Sequence, residues 1–108
     1  MKVAHRDLKS ENILLASQQP GDLTVKLVDF GFAAYVDPEN GLDDYLGSPL
    51  FLAPEVFEGR KYNEKVDIWS LGVIAYELLC GGSPFEADNV EALKRKVRSG
   101  KFSFTKYR

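Results

Sequence analysis

The chain has 108 residues, of which 44% are apolar, enough for one small globular domain and too few for two. Its 16 acidic and 14 basic side chains leave a formal net charge of -2, so charge gives no indication of a nucleic-acid or membrane-surface partner. No apolar run approaches the roughly 20 residues of a membrane span. The single cysteine, Cys80, lies in an apolar run, so we expect a reduced, buried thiol and an intracellular, cytoplasmic protein.

A β-hairpin is the first predicted element. Residues 12–16 and 23–28 are apolar runs, and the stretch between them contains the turn signal Pro20-Gly21. This hairpin would bring Asn12 close to Asp29. A long segment with little periodicity then follows, and a connection of this length inside a compact domain is usually functional or disordered.

The second half of the chain is predicted to be helical. Pro54 suits the first turn of a short helix that Gly59 would stop. The strongest helix covers about residues 64–80, with Asn63 as a cap and Gly81 at its end. Its apolar residues lie on nearly every side, which predicts burial on every side.

A last helix is predicted over residues 89–98. Asp88 and Glu91 have capping-box spacing, the apolar residues form one face, and Gly100 would end the helix. Residues 102–108 are aromatic and predicted to be extended. They carry no cap or polar terminus, so we expect the chain to be part of a longer domain.

Residues 5–12, His-Arg-Asp-Leu-Lys-Ser-Glu-Asn, concentrate groups suited to phosphate chemistry. The Asp7 carboxylate can accept the proton of a substrate hydroxyl, and Lys9 can steady a transferred phosphoryl group. Asn12 and Asp29 add a neutral and a charged oxygen, which suit Mg²⁺ when nucleotide phosphates complete its shell. Alone, each signal is weak, since a lone His5 is usually a core residue and an Asp-Phe-Gly triplet is usually a turn.

Four patterns in order make coincidence negligible: His5-Arg6-Asp7, Asp29-Phe30-Gly31, Ala53-Pro54-Glu55, and the Asp-Ile-Trp-Ser-Leu-Gly-Val of residues 67–73. Together they resemble the C-terminal lobe of eukaryotic protein kinases, over essentially the whole chain from Val3. The resemblance implies an α+β fold that is mainly helical, with a small hairpin beside the catalytic loop and no N-terminal lobe. Residues 1–108 would form one partial kinase domain.

The resemblance implies a role for each residue that matches the family's motifs. Asp7 corresponds to the catalytic base and Lys9 to the lysine that contacts phosphate. Asn12 and Asp29 correspond to the magnesium ligands, and Leu14 to the floor under the adenine ring. ATP and Mg²⁺ are therefore the expected cofactors.

Four more residues are expected to support this site. His5 would be structural, and Arg6 would occupy the place of the arginine that pairs with a phosphate on the following segment. Asp67 would hydrogen-bond the catalytic-loop backbone, although an acid in a first helical turn can also be explained by the helix dipole. Glu55 would pair with an arginine of a later helix, beyond Arg108.

The resemblance also implies residues for substrate recognition, which are Glu11, Ser48 and Glu77. Lys9 and Ser48 match serine/threonine kinases, which implies serine or threonine in protein substrates as the acceptor. Glu11 and Glu77 match positions that pair with substrate arginines in basophilic kinases. The alternative is that Glu11 is a surface charge and Glu77 a polar position on a buried helix, and the two interpretations are about equally favoured.

The last quarter of the chain is most like the calcium/calmodulin-dependent and calcium-dependent kinase group. Regulation by calcium or calmodulin would lie in regions outside this chain. The cations of the last helix, Lys94, Arg95, Lys96 and Arg98, can be read as a docking patch, but a solvated helix end favoured by the dipole is the better account.

The chain also departs from the family. It contains no Gly-x-Gly-x-x-Gly and no Val-Ala-Ile-Lys equivalent, so we expect the 108-residue chain alone to be inactive. A non-catalytic kinase-like binding or regulatory module is the alternative function. Residues 32–46 contain no serine or threonine, and we hypothesise that Asp43 or Asp44 replaces a phosphate beside Arg6.

Overall fold

The computed structural model describes residues 2–104. The strands are β1 (Lys2–Ala4), β2 (Ile13–Leu15), β3 (Val25–Leu27) and β4 (Ala34–Val36), and the helices are α1 (Pro54–Phe57), α2 (Lys65–Cys80) and α3 (Val90–Ser99). Short 3₁₀ turns cover Ser10–Asn12 and Pro49–Phe51. Short strands combined with longer helices agree with the predicted α+β class.

The predicted hairpin is confirmed. Strands β2 and β3 pair antiparallel, with Ile13 opposite Leu27, and the Val28 N–H donates to the Asn12 carbonyl at 2.9 Å. The turn between them uses Gly21 at φ +86°, a conformation that glycine adopts without steric cost. Asn12 therefore lies beside the residue that precedes Asp29.

A second sheet was not predicted. Strands β1 and β4 pair antiparallel, with Val3 opposite Tyr35 and Ala4 opposite Ala34. Residues 5–12 consequently connect a strand of one sheet to a strand of the other, and the chain that follows Asp29 is brought back beside the start of that loop.

The three helices begin and end close to the predicted residues. Helix α2 ends at Gly81, which is left-handed at φ +89°, and the Asn63 side chain accepts the Lys65 N–H at 2.9 Å. Helix α3 ends at Gly100, also left-handed. Its cap differs from the prediction, because Asn89, and not Asp88, accepts the Ala92 N–H at 2.8 Å.

The prediction that α2 is buried on every side is wrong. Its buried residues occupy one face, and they are Val66, Ser70, Val73, Ile74 and Tyr76. On the other side Leu78 and Leu79 are 80% and 83% exposed. Within residues 2–104, β1 and the Pro49–Phe51 turn pack on α2. Cys80, at the end of this helix, is half-buried and not fully buried as predicted.

The apolar core has two parts that meet at Trp69. The larger part joins α1, the start of α2 and α3 through Leu52, Ala53, Val56, Phe57, Tyr62, Val66, Phe85, Leu93 and Val97. The smaller part joins the 5–12 loop to α2 through Leu8, Phe51, Val73 and Ile74. Leu8 thus fixes the loop to the centre of the long helix.

The C-terminal aromatic residues pack on α2. Phe102 and Phe104 both lie against the Tyr76 ring. The rest of the predicted extended stretch, residues 105–108, lies outside the described residues. Within residues 2–104 no helix has the length and apolarity needed to cross a membrane.

Candidate active site

The 5–12 loop is anchored by one carboxylate of α2. Asp67 accepts the His5 N–H at 2.7 Å and the Arg6 N–H at 3.0 Å, one on each carboxylate oxygen. Arg6 has φ +73°, a backbone conformation that is uncommon for a residue with a side chain and costs free energy. The first turn of α2 therefore holds a strained turn directly before Asp7.

His5 is buried and uses both ring nitrogens inside the protein. Its Nδ1 accepts the Asp7 N–H at 3.1 Å, and Nε2 lies 2.9 Å from the Val28 carbonyl. A neutral ring protonated on Nε2 satisfies both partners. The ring also contacts the edge of Phe30, with centroids 4.8 Å apart. These contacts link the 5–12 loop to the Asp29-Phe30-Gly31 turn.

The Asp7 carboxylate lies between a hydroxyl and an ammonium group. Although Asp7 is only 8% exposed, Ser48 Oγ donates to its Oδ1 at 2.8 Å and Lys9 Nζ lies 3.9 Å from its Oδ2. Ser48 reaches this position from the start of the Pro49–Phe51 turn, 41 residues along the chain. The structure thus brings together Asp7, Lys9 and Ser48.

Asn12 presents its amide oxygen while its nitrogen is held. The Asn12 Nδ2 donates to the Asp7 carbonyl at 2.9 Å, and because a carbonyl only accepts, the amide orientation follows. Asp29 is exposed, has φ +60°, and accepts the Gly31 N–H on Oδ1 at 3.3 Å. The hairpin places these two oxygen-bearing side chains at the open ends of β2 and β3.

These two side chains fit Mg²⁺ and do not form a complete metal cage. Within residues 2–104 no three His, Cys, Asp or Glu side chains are grouped to hold a metal ion. Mg²⁺ is usually held by one or two protein oxygens while water and substrate phosphates complete its octahedral shell. One amide oxygen and one carboxylate match that donor set.

Leu14 lies at the centre of β2, opposite Lys26. It is 51% exposed, so an apolar side chain is open to solvent beside the Asn12 and Asp29 positions. Such a surface can pack against a flat apolar ligand group.

Glu11 and Glu77 are brought to the same region by a residue that the sequence did not single out. Ser10 Oγ donates to Glu77 Oε1 at 2.9 Å, which joins α2 to the Ser10–Asn12 turn that also carries Glu11. Glu11 itself is exposed. The only sequence signal for Ser10 was its place between Lys9 and Glu11.

The Arg6 side chain is held by the segment that follows Asp29. Its Nε donates to the Phe32 carbonyl at 2.6 Å, and its Nη1 donates to Asp44 Oδ2 at 3.0 Å and to the Tyr62 hydroxyl at 3.3 Å. Of the two aspartates considered from the sequence, Asp44 is the one that contacts Arg6. Burial alone would lower the Arg6 pKa, but the hydrogen bonds to Asp44 and Tyr62 raise it above its usual value.

Glu55 lies in α1, half-buried, at the edge of an apolar groove that also contains Lys65, Trp69 and Phe85. The arginine partner expected for Glu55 would lie beyond Arg108, so this pairing stays a prediction. The neighbouring acid Glu58 instead pairs with Arg60 at 2.8 Å and with Arg98 at 3.1 Å.

Part of the basic end of α3 is used within the fold. Arg98 pairs with Glu58, and Lys96 Nζ donates to the Glu86 carbonyl. These contacts favour the helix-end interpretation over a free docking patch.

Comparison with known proteins gives one family. A family model described as the protein kinase domain matches residues 1–107. The serine/threonine-protein kinases SIK1 of Rattus norvegicus and Mus musculus are each 46% identical to the chain over 101 residues. The match covers 93% of this chain and 12% of each relative, so the chain spans a small part of the curated relatives it matches.

Proposed function

Because this chain belongs to the protein kinase domain family, we propose that it carries the catalytic loop of a serine/threonine protein kinase, which transfers the γ-phosphate of ATP to a protein hydroxyl. The observation that carries this proposal is the arrangement at Asp7. A buried carboxylate accepts a hydroxyl at 2.8 Å on one oxygen and faces an ammonium at 3.9 Å on the other.

Asp7 is the proposed base and Lys9 the proposed phosphate-contacting cation. A substrate hydroxyl at Asp7 Oδ2 would pass its proton to the carboxylate while its oxygen forms the new bond to the γ-phosphorus and the bond to ADP breaks. The Lys9 ammonium lies on that side and would stabilise negative charge on the transferred phosphoryl oxygens. Ser48 and Asn12 would hold Asp7 in place through its side chain and its carbonyl.

Asn12 and Asp29 are the proposed ligands of Mg²⁺, with Leu14 packing against the adenine ring. The bound ion would neutralise phosphate charge. The Asn12 bond to the Asp7 carbonyl supports this assignment, since it fixes the amide with its oxygen available as a ligand.

The proposed acceptor site is a serine or threonine preceded by basic residues. Glu77 and Glu11 would pair with substrate arginines, and the Ser10 hydroxyl would hold Glu77 in position beside the loop. A closer relationship to the calcium/calmodulin-dependent and calcium-dependent group stays a proposal that rests on the last quarter of the sequence. Calcium or calmodulin regulation would act through residues outside this chain.

We expect the 108-residue chain to be inactive alone, because its sequence contains no glycine-rich loop or strand lysine to position the phosphates. We also propose an intracellular location, because Cys80 is a free thiol and reduced thiols are typical of intracellular compartments.

The proposal is tested with a chimera in which this chain replaces the 101 matched residues of the rat relative. The remainder of that kinase supplies the nucleotide-clamping parts. We expect the chimera to phosphorylate a serine peptide with upstream arginines, to phosphorylate the tyrosine version poorly, and to lose efficiency when the arginines are replaced by alanine.

The alternative function is a non-catalytic kinase-like module. A folded chimera that binds ATP and peptide but transfers no phosphate would favour this module and contradict the enzyme. If the isolated chain phosphorylated the peptide as fast as the chimera, the expected dependence on additional nucleotide-binding parts would be wrong.

A further inference from the structure

The Arg6 side chain makes a cluster of contacts that the proposed phosphate transfer does not require. The partners of Arg6 in this cluster are Asp44, Tyr62 and the Phe32 carbonyl. The Arg6 side chain is 9% exposed, whereas that of Asp44 is 61% exposed. A largely buried cation is thus paired with a carboxylate that reaches it from the surface.

Tyr62 joins both partners of this ion pair. Its hydroxyl accepts from Arg6 Nη1 and donates to the Asp44 carbonyl at 2.7 Å. Its backbone exchanges two hydrogen bonds with Leu42, at 2.7 and 2.8 Å. Gly41 packs so tightly on Tyr62 that an added Cβ would lie 2.7 Å from the Tyr62 carbonyl oxygen. Residues 41–44 are therefore held by both backbone and charge.

The same segment ends at the proposed base. Gly47 lies against the Arg6 carbonyl, since an added Cβ would come within 2.8 Å of that oxygen, and Ser48 donates to Asp7. Asp44 is only four residues before Ser48. Fixing Asp44 on Arg6 consequently limits where the Ser48 hydroxyl can lie.

We propose that Asp44 is a positioning residue that docks residues 32–48 onto the 5–12 loop through Arg6 and so aligns Ser48 with Asp7 in the unmodified chain. The charge that holds the segment is part of the sequence, and residues 32–46 contain no serine or threonine. Docking thus requires no phosphate on such a hydroxyl. The catalytic consequence rests on the proposed function, whereas the docking itself does not.

Hydrogen exchange of the 108-residue chain tests the docking. The reporters are the amides of Leu42 and Ala33, which donate to Tyr62 and Phe30. Asp44→Asn should speed their exchange about fivefold, since it removes an ion pair that is exposed on one side. Asp43→Asn, which removes a neighbouring exposed carboxylate, should leave both rates unchanged, and Asp44→Glu should restore much of the protection.

Salt and a second variant separate charge from packing. Raising the salt concentration should speed exchange at both amides in the wild type and have little effect in Asp44→Asn, because screening acts on the ion pair. Tyr62→Phe keeps the buried ring and removes only the bridging hydroxyl, so it should speed exchange by a smaller factor. Equal exchange in Asp44→Asn and Asp43→Asn would overturn the docking.

The positioning role is tested in the chimera after phosphatase treatment. Asp44→Asn should lower kcat about fivefold with little change in the KM for ATP, and Asp44→Glu should recover most of kcat. An unchanged kcat would overturn the positioning role. An inactive chimera with Asp44 in place, together with the exchange difference in the isolated chain, would overturn the proposed function while supporting the docking.

Discussion

Asp67 is the residue whose replacement separates two explanations most sharply. If it only favours the start of α2, its charge is worth about 0.3–1 kcal/mol. If it anchors the 5–12 loop, it contributes two charge-assisted hydrogen bonds, to the N–H groups of His5 and Arg6. Such bonds contribute about 1.5–3 kcal/mol each.

Asp67→Asn keeps one acceptor oxygen and turns an amide N–H₂ toward the other backbone donor. One charge-assisted bond is lost, one N–H is left without its acceptor, and the strained Arg6 turn is held less firmly. We therefore expect a loss of about 3 kcal/mol in the free energy of unfolding, a large share of the 5–15 kcal/mol typical of a small domain.

Urea unfolding followed by the fluorescence of Trp69, the one tryptophan in the sequence, measures this loss. Glu91→Gln is the matched control, because Glu91 is the acid in the first turn of α3 as Asp67 is in α2. We expect the control to lose less than about 1 kcal/mol. Equal losses in the two variants would refute the anchoring role and leave the dipole explanation.

Three further changes test other parts of the account. Gly47→Ala should lower the free energy of unfolding by at least about 2 kcal/mol in urea, since φ is +115° and the new Cβ would meet the Arg6 carbonyl. The control Gly59→Ala, at φ +70° in open space, should lower it by about 1 kcal/mol. Similar losses in the two variants would contradict the close approach of Gly47 to Arg6. Ser48→Ala should destabilise by about 1–2 kcal/mol by leaving an Asp7 oxygen without its donor, and Ser48→Thr should lose less; no difference between them would contradict the bond. Hydrogen bonds from the Glu39 N–H and from Asn40 lower the Asp37 pKa in the folded protein. The ionised carboxylate therefore stabilises the fold fully at a pH above its unfolded-state pKa, and this contribution disappears as pH falls through its folded-state pKa. Thermal melts should therefore show Asp37→Asn less stable than wild type at pH 7. The two proteins should become equally stable at a pH below the folded pKa of Asp37, and a gap that persists there would contradict this.

The sequence predicted elements whose ends are marked by strong local signals. Pro20-Gly21 located the hairpin, and Gly81 and Gly100 located the ends of α2 and α3, because left-handed glycines end helices wherever they pack. The sheet of β1 and β4 was not predicted, because a strand of three residues is too short to show a periodic pattern. Its pairing also joins residues about 30 positions apart in the sequence.

Other misses depended on what surrounds a residue. The apolar residues of α2 suggested burial on every side. Burial depends on the elements that pack on the helix, and within residues 2–104 the buried residues of α2 lie on one face. Ser10 and Tyr62 carry no pattern of their own. Their roles depend on Glu77 and Arg6, which are distant in the chain and meet them only in the folded structure.

Among the site residues, the motif order grouped Asp7, Lys9, Asn12 and Asp29. The structure places Lys9 and Asn12 against Asp7, while the roles of the four residues stay predictions. Two adjacent aspartates, Asp43 and Asp44, could not be separated by composition. The folded structure separates them, because the Arg6 guanidinium donates to Asp44.

The most direct test of the account is the initial rate of phosphate transfer by the chimera to a serine peptide, compared with that of its Asp7→Asn variant. Asparagine keeps the size of the side chain but cannot take the substrate proton. We predict a fall in kcat of about 100-fold or more, with the KM for ATP little changed. Equal rates in the two proteins would contradict the assignment of Asp7 as the catalytic base.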